Sequence, residues 1–373
     1  MKNKKIKIAH IETGKHLYGG ALQVLYLLSE LKNNTDSVLL APRTSAIADV
    51  AIKLGLNFFP LSHSGDFSWK MFQEIKSILT SVRPDLVHVH SRRGADFFGG
   101  LAAWHLNIPA LLTRRVDNIP SIIWTVYQHH FYDAVICISP AIAKVLSLEG
   151  IDQDRLTLIF DGVNIKNWIP CQDQSTRAQL RSALGVAPNQ KLFLVVAQLI
   201  KRKGHLVLLE ALKKLPESFS YKVLCYGKGP MQDEIQNTIN SYGLSEKCIL
   251  MGFTNTLNQI LPIADAIIHP AFREGLGVSL LQAASCGIPI IASSAGGIKD
   301  VFTHQKNAYL VEPNQPEALS LGINLFFNNS DLFDQYAIQA RELISKLYSH
   351  EQMALENFKL YRTILEKRAR III

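Results

Sequence analysis

The stretch from His269 to Ala292, HPAFREGLGVSLLQAASCGIPIIA, concentrates the residue types that could do chemistry. A charged pair, Arg273-Glu274, precedes two glycines, Gly275 and Gly277. An apolar-periodic segment then runs from Val278 to Cys286. Gly287 reads as a helix stop, and Pro289 lets the next apolar run start extended. The order is strand, glycine loop, helix, strand. A glycine loop feeding a helix N-terminus offers unpaired N–H groups and the positive end of a helix dipole, which suits an anion such as a diphosphate. Glu274 can accept hydrogen bonds from hydroxyls, and hydroxyls beside phosphates suggest a sugar nucleotide. An ordinary strand-to-helix turn whose glycines serve only packing has the same pattern, so the loop does not stand alone.

Other chemistry-bearing residues lie where apolar runs end. Gly19-Gly20 opens a helix after the first strand, a second glycine loop at a helix N-terminus. His88 and His90 alternate along PDLVHVHS and so face one side; His90 is nearer the strand end, where it could line a cleft. Paired histidines could hold a metal, but no third ligand has sensible spacing, so no metal is expected. Arg92-Arg93 and Arg114-Arg115 both follow strand ends, and at least one of these arginines is expected to bind an anion. Asp117 could simply pair with them. Asp96 either caps its helix or reaches an acceptor, and the sequence leaves both open. His129-His130 reads as surface or acceptor-side structure rather than a metal site.

The elements that position these residues alternate. The chain has 373 residues, comfortable for two domains, with 48% hydrophobic and 19% charged residues, which is globular rather than disordered. Strands are expected at 6–11, SVLLAP, NFFPL, PDLVHVHS, IPALLTRR and AVICIS, with helices between them. The apolar segment PSIIWTVYQHHFYD also reads as helical. The turn-rich stretch DGVNIKNWIPCQDQS marks a crossover. A second series follows, through KLFLVVAQL, YKVLCYG, CILMG, ADAIIHP, IPIIAS and NAYLVEP, and the chain is expected to be helical from Ser330 to about Lys367. This alternation implies α/β architecture: two Rossmann-like domains, 1–165 and 166–350, with helix 351–373 packing back on the first. Ligands in such folds sit at the carboxyl ends of the strands, here expected in a cleft between the domains.

Composition narrows the partners. The net charge of +8 allows nucleic acid, an anionic membrane face or anionic substrates, and the lack of an arginine-rich or aromatic-basic tract disfavours nucleic acid. Five scattered cysteines with no CxxC pair fit reduced thiols in a cytosol. The lysine-flanked run IKIAHI is too short for a signal peptide, and no apolar run reaches the roughly eighteen residues of a spanning helix. The N-terminal lysines, the stretch Ile119 to Phe131 and the tail Arg368 to Ile373 suit a peripheral membrane face, though the apolar residues of 119–131 could equally be core.

The ordered motifs together are similar to one family. GGA (Gly19 to Ala21), DGVN (Asp161 to Asn164), VAQLIKRKG (Val196 to Gly204), GKGP (Gly227 to Pro230), MGF (Met251 to Phe253), REGLG with LLQAASCGIPII, and SSAGGIKD (Ser293 to Asp300) occur in order over nearly the whole chain. The sequence resembles the family 4 retaining glycosyltransferases of the GT-B fold. The resemblance implies transfer of a sugar from a nucleoside diphosphate sugar to a hydroxyl of a saccharide or lipid-linked acceptor. It further implies synthesis of lipopolysaccharide or another bacterial surface glycan at the inner face of the cytoplasmic membrane, with no cofactor or required metal. It assigns Glu274 to donor-sugar hydroxyls, and the amides of Gly275, Leu276 and Gly277 to the diphosphate or sugar. Lys203 would neutralise the leaving diphosphate, Gly19 and Gly20 would approach the same phosphates, and Phe253 would lie near the base.

The chain departs from the family pattern in three places. Gln282 stands where the second acid of the pair binds ribose hydroxyls; its amide can still accept and donate. Gln198 stands where an arginine usually precedes the lysine, a charge that Arg202 or Lys201 could supply. Arg114-Arg115 stand where many members carry a histidine near the donor sugar, a role His90 could partly cover. The glutamines keep open a non-catalytic sugar-nucleotide binding protein of a polysaccharide assembly complex. A GT-B epimerase or phosphorylase is the other alternative; a nicotinamide dehydrogenase lacks its GxGxxG fingerprint.

Overall fold

The computed structural model describes residues 5–17, 19–62, 68–90, 94–115 and 130–371. The expectations for Arg92, Arg93, Asp117 and most of the stretch Ile119 to Phe131 lie outside the described residues. The chain divides into two compact units, Met1–Gly162 with His350–Ile373, and Val163–Ser349.

The first unit holds seven parallel strands: β1 (Ile6–Ile11), β2 (Thr35–Pro42), β3 (Asn57–Leu61), β4 (Leu86–Val89), β5 (Ala110–Arg114), β6 (Ala134–Cys137) and β7 (Leu156–Leu158). Their order is β3-β2-β1-β4-β5-β6-β7. Strands β4, β5 and β6 are buried at every residue, as strands covered on both faces must be, which is why they read as continuous apolar runs. Helices α1 (Gly19–Leu31), α2 (Ala46–Lys53), α3 (Trp69–Val82), α4 (Ala95–His105) and α5 (Pro140–Leu148) connect them. Helix α3 starts where the Ser68 hydroxyl accepts from the Met71 N–H, buries Phe72, Ile75, Leu79 and Val82, and stops at Arg83 in the left-handed region. Ser139 and Pro140 start α5 as the sequence predicts.

The second unit holds six parallel strands: β8 (Lys191–Val196), β9 (Tyr221–Tyr226), β10 (Cys248–Gly252), β11 (Ala266–His269), β12 (Ile290–Ser293) and β13 (Tyr309–Val311). Their order is β10-β9-β8-β11-β12-β13. Among the described helices here are α6 (Gln174–Ala183), α7 (His205–Lys213), α8 (Gln232–Ser241), α9 (Leu257–Ile260), α10 (Val278–Ser285), α11 (Ile298–Val301), α12 (Pro316–Asn328) and α13 (Ser330–Leu347). Both sheets have a doubly wound order, with the strand direction of progress reversing beside β1 and β4 in one and beside β8 and β11 in the other.

Helix α6 begins at the last two residues of the expected crossover and continues through residues 176–183, for which the sequence predicts no element. It lacks an apolar stripe and is fixed by charge instead: Arg177 and Arg181 reach the two Asp265 oxygens at 2.8 and 2.9 Å, and Asp265 also accepts the Leu192 N–H. Burial pushes the Asp265 carboxyl up, but the Leu192 N–H and the two guanidinium groups outweigh it and hold it below its usual value. The helical stretch expected from Ser330 to about Lys367 is two helices that part at Tyr348-Ser349, beside the domain boundary expected at 350/351. There the chain leaves the second unit, and α14 (His350–Ile371) belongs to the first. The Tyr348 carbonyl accepts the Val163 N–H at 2.8 Å, so both crossing segments are tied together at the break. Helix α14 buries Tyr361 and Ile364 in one core with Ile8, Leu27 and Leu86. Among the described residues no helix is long and apolar enough to cross a membrane.

Buried Gln23 of α1 closes the first unit at its boundary. Its amide donates to the Gly162 carbonyl at 2.7 Å and accepts the Gly162 N–H at 2.9 Å. Replacing Gln23 by Met keeps the volume but orphans two buried backbone groups, so Gln23→Met is expected to cost about 2–4 kcal/mol in urea unfolding. A loss below about 0.5 kcal/mol would show that water serves Gly162 equally well.

Candidate functional site

The switch point of the second sheet builds a buried polar cluster around Glu274. Adjacent strands β8 and β11 end side by side, so the loops after them meet although 71 residues separate Lys203 from Glu274. The Lys203 ammonium contacts Oε2 of Glu274. Nε2 of His269, the last residue of β11, lies 2.8 Å from the same oxygen. Oε1 accepts the Gly275 N–H at 3.1 Å. Burial alone would push the Glu274 carboxyl up. The Lys203 ammonium and the His269 hydrogen bond outweigh that and hold it well below the usual carboxylate range. Glu274 is therefore an ionised, largely buried carboxylate with donors on both oxygens.

The two loops are fastened backbone to backbone. Phe272 N–H donates to the Arg202 carbonyl at 2.8 Å, and the Arg202 guanidinium donates to the Arg273 carbonyl at 3.3 Å. Gly204 has φ +70°, and a Cβ there would sit 1.9 Å from the Pro270 oxygen, so only glycine permits the approach. Gly296, at φ +52°, is pressed as closely on the Glu274 carbonyl, which also accepts the Gly297 N–H at 3.1 Å. Gly277, at φ +80°, is the N-cap of α10. Leu276 and Gln282 are buried, Gln198 is half-buried in the loop after β8, and Phe253 is exposed beyond β10. The structure thus brings Lys203, Arg202, Glu274 and Gly275 together.

The first unit repeats the arrangement with different chemistry. Strands β1 and β4 are neighbours, with His10 paired in register with His88. This supplies the third histidine that spacing did not offer. Nδ1 of His10 lies 2.9 Å from Nε2 of His90, and the ring nitrogens of His10, His88 and His90 all lie within 4.8 Å of one another. Both nitrogens of His88 are already engaged, at 2.7 Å from the Tyr361 and Thr113 hydroxyls. Burial pushes His10 down to about 3 and holds His88 and His90 well below the usual value, so all three are neutral imidazoles. They form a hydrogen-bonded cluster, with rings of His88 and His90 only 3.7 Å apart.

Arg115 sits just past β5 and pairs with buried Asp161 at 3.1 Å. It also donates to the His90 carbonyl, and its side chain lies against Gly20 at the start of α1. Arg114 is buried at the end of β5. Glu12, buried just after β1, accepts the Gly14 N–H at 2.7 Å; burial raises it, against the pull of Gly14 and Arg115. Sequence reasoning missed His10, Glu12 and His269 as site residues. His10 is the last residue but one of β1, Glu12 follows β1 and His269 ends β11, all at a switch point, the signal that could have found them. A cavity of about 1000 Å³ opens at the other end of this sheet, near Lys5, Lys7, Lys32 and Arg83. Its lysines serve helix-end carbonyls, Lys5 on Lys32 and Lys7 on Val82, so we assign it no chemistry.

Two family models match this chain: Glycosyltransferase Family 4 over residues 18–167, and Glycosyl transferases group 1 over residues 176–343. The Methanocaldococcus jannaschii uncharacterized glycosyltransferase MJ1607 is 26% identical over 339 residues, 85% of this chain and 87% of the relative. The Escherichia coli UDP-Gal:alpha-D-GlcNAc-diphosphoundecaprenol alpha-1,3-galactosyltransferase is 22% identical over 84% of this chain and 85% of its own. Among solved structures, Anabaena Alr3699/HepE in complex with UDP and glucose superposes with a TM-score of 0.86 at 19% identity, covering 96% of this chain and all of that one. The chain belongs to the family 4 glycosyltransferases and has the GT-B fold.

The histidine cluster makes stability depend on pH. Folded values lie below the ordinary 6.5, so the unfolded chain binds more protons as pH falls below 6.5. Stability should therefore drop across the window from pH 6.5 towards the folded values, by about 1.4 kcal/mol per pH unit for each histidine. Urea unfolding between pH 7 and 5 should show this slope, and His88→Asn should flatten it; an unchanged slope would refute neutral burial of His88. In the second unit, Gly296→Ala should cost about 1–3 kcal/mol and lower turnover by displacing residue 274. Crystal structures of the variant with an unmoved Glu274 would contradict that.

Proposed function

We propose that this glycosyltransferase moves a sugar from a nucleoside diphosphate sugar to an acceptor hydroxyl with retention of configuration. The observation that carries it is the Lys203–Glu274 pair at the switch point of the second sheet, beside the N-terminus of α10. Glu274 is an ionised acceptor suited to sugar hydroxyls, and Lys203 is a cation within reach of it that suits a diphosphate. Solved Anabaena Alr3699/HepE, which shares the fold, holds UDP and glucose, which supports a nucleotide-sugar donor here. Gln198, Arg202, Phe253, Leu276, Gly277 and Gln282 are the further donor-side candidates.

In the step we propose, the bond from the anomeric carbon to the diphosphate oxygen breaks as the acceptor oxygen bonds that carbon. The acceptor proton passes to the departing diphosphate oxygen on the same face. No protein carboxylate need act as nucleophile; the residues position the donor and stabilise developing charge. In the first unit, Gly19 and Gly20 are proposed contacts of the donor phosphates, His90 is a proposed catalytic residue near the donor sugar, and Arg114 and Arg115 are proposed acceptor or anion contacts. A saccharide or lipid-linked acceptor of a bacterial surface glycan is supported by the diphosphoundecaprenol galactosyltransferase among the relatives. Peripheral contact with an anionic membrane at the inner face of the cytoplasmic membrane belongs to the same proposal, and salt-sensitive co-sedimentation with anionic liposomes would support it.

A thermal-shift panel of UDP, GDP and ADP sugars, with and without magnesium, identifies the donor. Lys203→Ala and Glu274→Ala should each keep the fold and lose about two to three orders of magnitude in kcat with that donor. Turnover within a few-fold of wild type in either variant would remove that residue from the machinery.

A further inference from the structure

Oε2 of Glu274 carries two donors, the Lys203 ammonium and Nε2 of His269. An ionised carboxylate only accepts, so the 2.8 Å contact requires the proton of His269 on Nε2. Nδ1 is then bare, in keeping with its having no partner although buried. Burial pushes His269 below its ordinary value, and Glu274 draws it only partly back, so the imidazole is neutral. The donor on Glu274 is thus a cation and a neutral ring on one oxygen. These two respond differently to an arriving diphosphate. The ammonium is a flexible point charge that an anion can draw away. The imidazole ends strand β11, has side-chain exposure of 2%, and carries no charge to be drawn.

We propose that His269 is a positioning residue for Glu274: its Nε2–H keeps the carboxylate aimed when Lys203 transfers its contact to the donor diphosphate. This rests on the donor-site assignment of Lys203 and Glu274 above. Without His269 and with Lys203 drawn to the diphosphate, the Gly275 N–H on Oε1 would be the donor left among these contacts, and a buried carboxylate so poorly served would turn or take up a proton. Backbone placement does not replace the imidazole, because the Gly296 and Gly297 contacts fix only the Glu274 main chain.

Lys203→Ala imitates departure of the ammonium, so the test needs no donor. Carbon-13 NMR of the Glu274 carboxyl, assigned by its loss in Glu274→Gln, should titrate about one pH unit or more higher in Lys203→Ala/His269→Ala than in Lys203→Ala alone. His269→Gln, which keeps an N–H donor, should restore most of the difference. Identical titration in the two backgrounds would overturn the proposal. Calorimetry with UDP and UDP-glucose reads the consequence. In His269→Ala the gain in affinity from adding glucose to UDP should shrink about tenfold, with UDP affinity itself kept. Equal losses for both ligands would mark a merely structural role and also overturn it. If wild-type protein binds neither ligand, its donor is not UDP-glucose and the panel's donor takes its place, while the titration still decides the role of His269. Should His269→Ala not fold, His269→Leu serves the same comparison.

Discussion

A carboxylate buried at a strand end is costly unless every oxygen is served, and Glu274 is where the second unit meets that demand. Its partners come from two segments, the loop after β8 and the end of β11. Holding them together requires those strands to be neighbours, the loops to touch backbone to backbone, and Gly204 and Gly296 to lack a Cβ. The doubly wound strand order supplies the first condition. The Phe272 to Arg202 hydrogen bond and the two glycines supply the others. Breaking the ion pair from one side would leave a buried charge uncompensated, so the pair acts as a constraint on the loops rather than as a large net source of stability.

The first unit meets the same geometric situation with neutral groups. Its switch point gathers imidazoles where the second gathers ions. His88 is saturated by two hydroxyls, one of them Tyr361 from α14. A chain segment more than 270 residues downstream is therefore written into the polar interior of the first sheet, and the break at Tyr348-Ser349 is what lets it return. Largely buried charge gathers at and just past the strand ends, in Arg114, in Arg115 with Asp161 and in Glu12.

Much of the fold was legible because buried parallel strands are continuous apolar runs and their glycine loops open helices. Glu274, Lys203 and the glycines stood out for the same reason, with the ordered motifs adding the family. What periodicity could not convey was pairing across strands: that His10 faces His88, or that His269 shares an oxygen with Lys203. Those contacts depend on strand order, which a linear sequence does not display. Helix α6 escaped because its anchors are arginines on Asp265 rather than an apolar face. The break before α14 lies beside the boundary expected after residue 350, although good helix formers on both sides let the whole stretch read as helical.

Gln282, buried on α10, adds no charge to this unit's loops. Lys203 is matched by Glu274, while Arg202 and Arg273 lie on the fastened loops with their own positive charge. A second carboxylate on α10 would offset one of them. An amide on buried Gln282 leaves the balance positive while keeping an acceptor and a donor for hydroxyls. A diphosphate in the proposed donor site would then meet the positive end of α10 with Glu274 already matched by Lys203. In the proposed donor site, recognition of hydroxyls would fall chiefly to Glu274, so its orientation, and hence the neutral hydrogen bond from His269, would weigh more in this chain than beside a second acid.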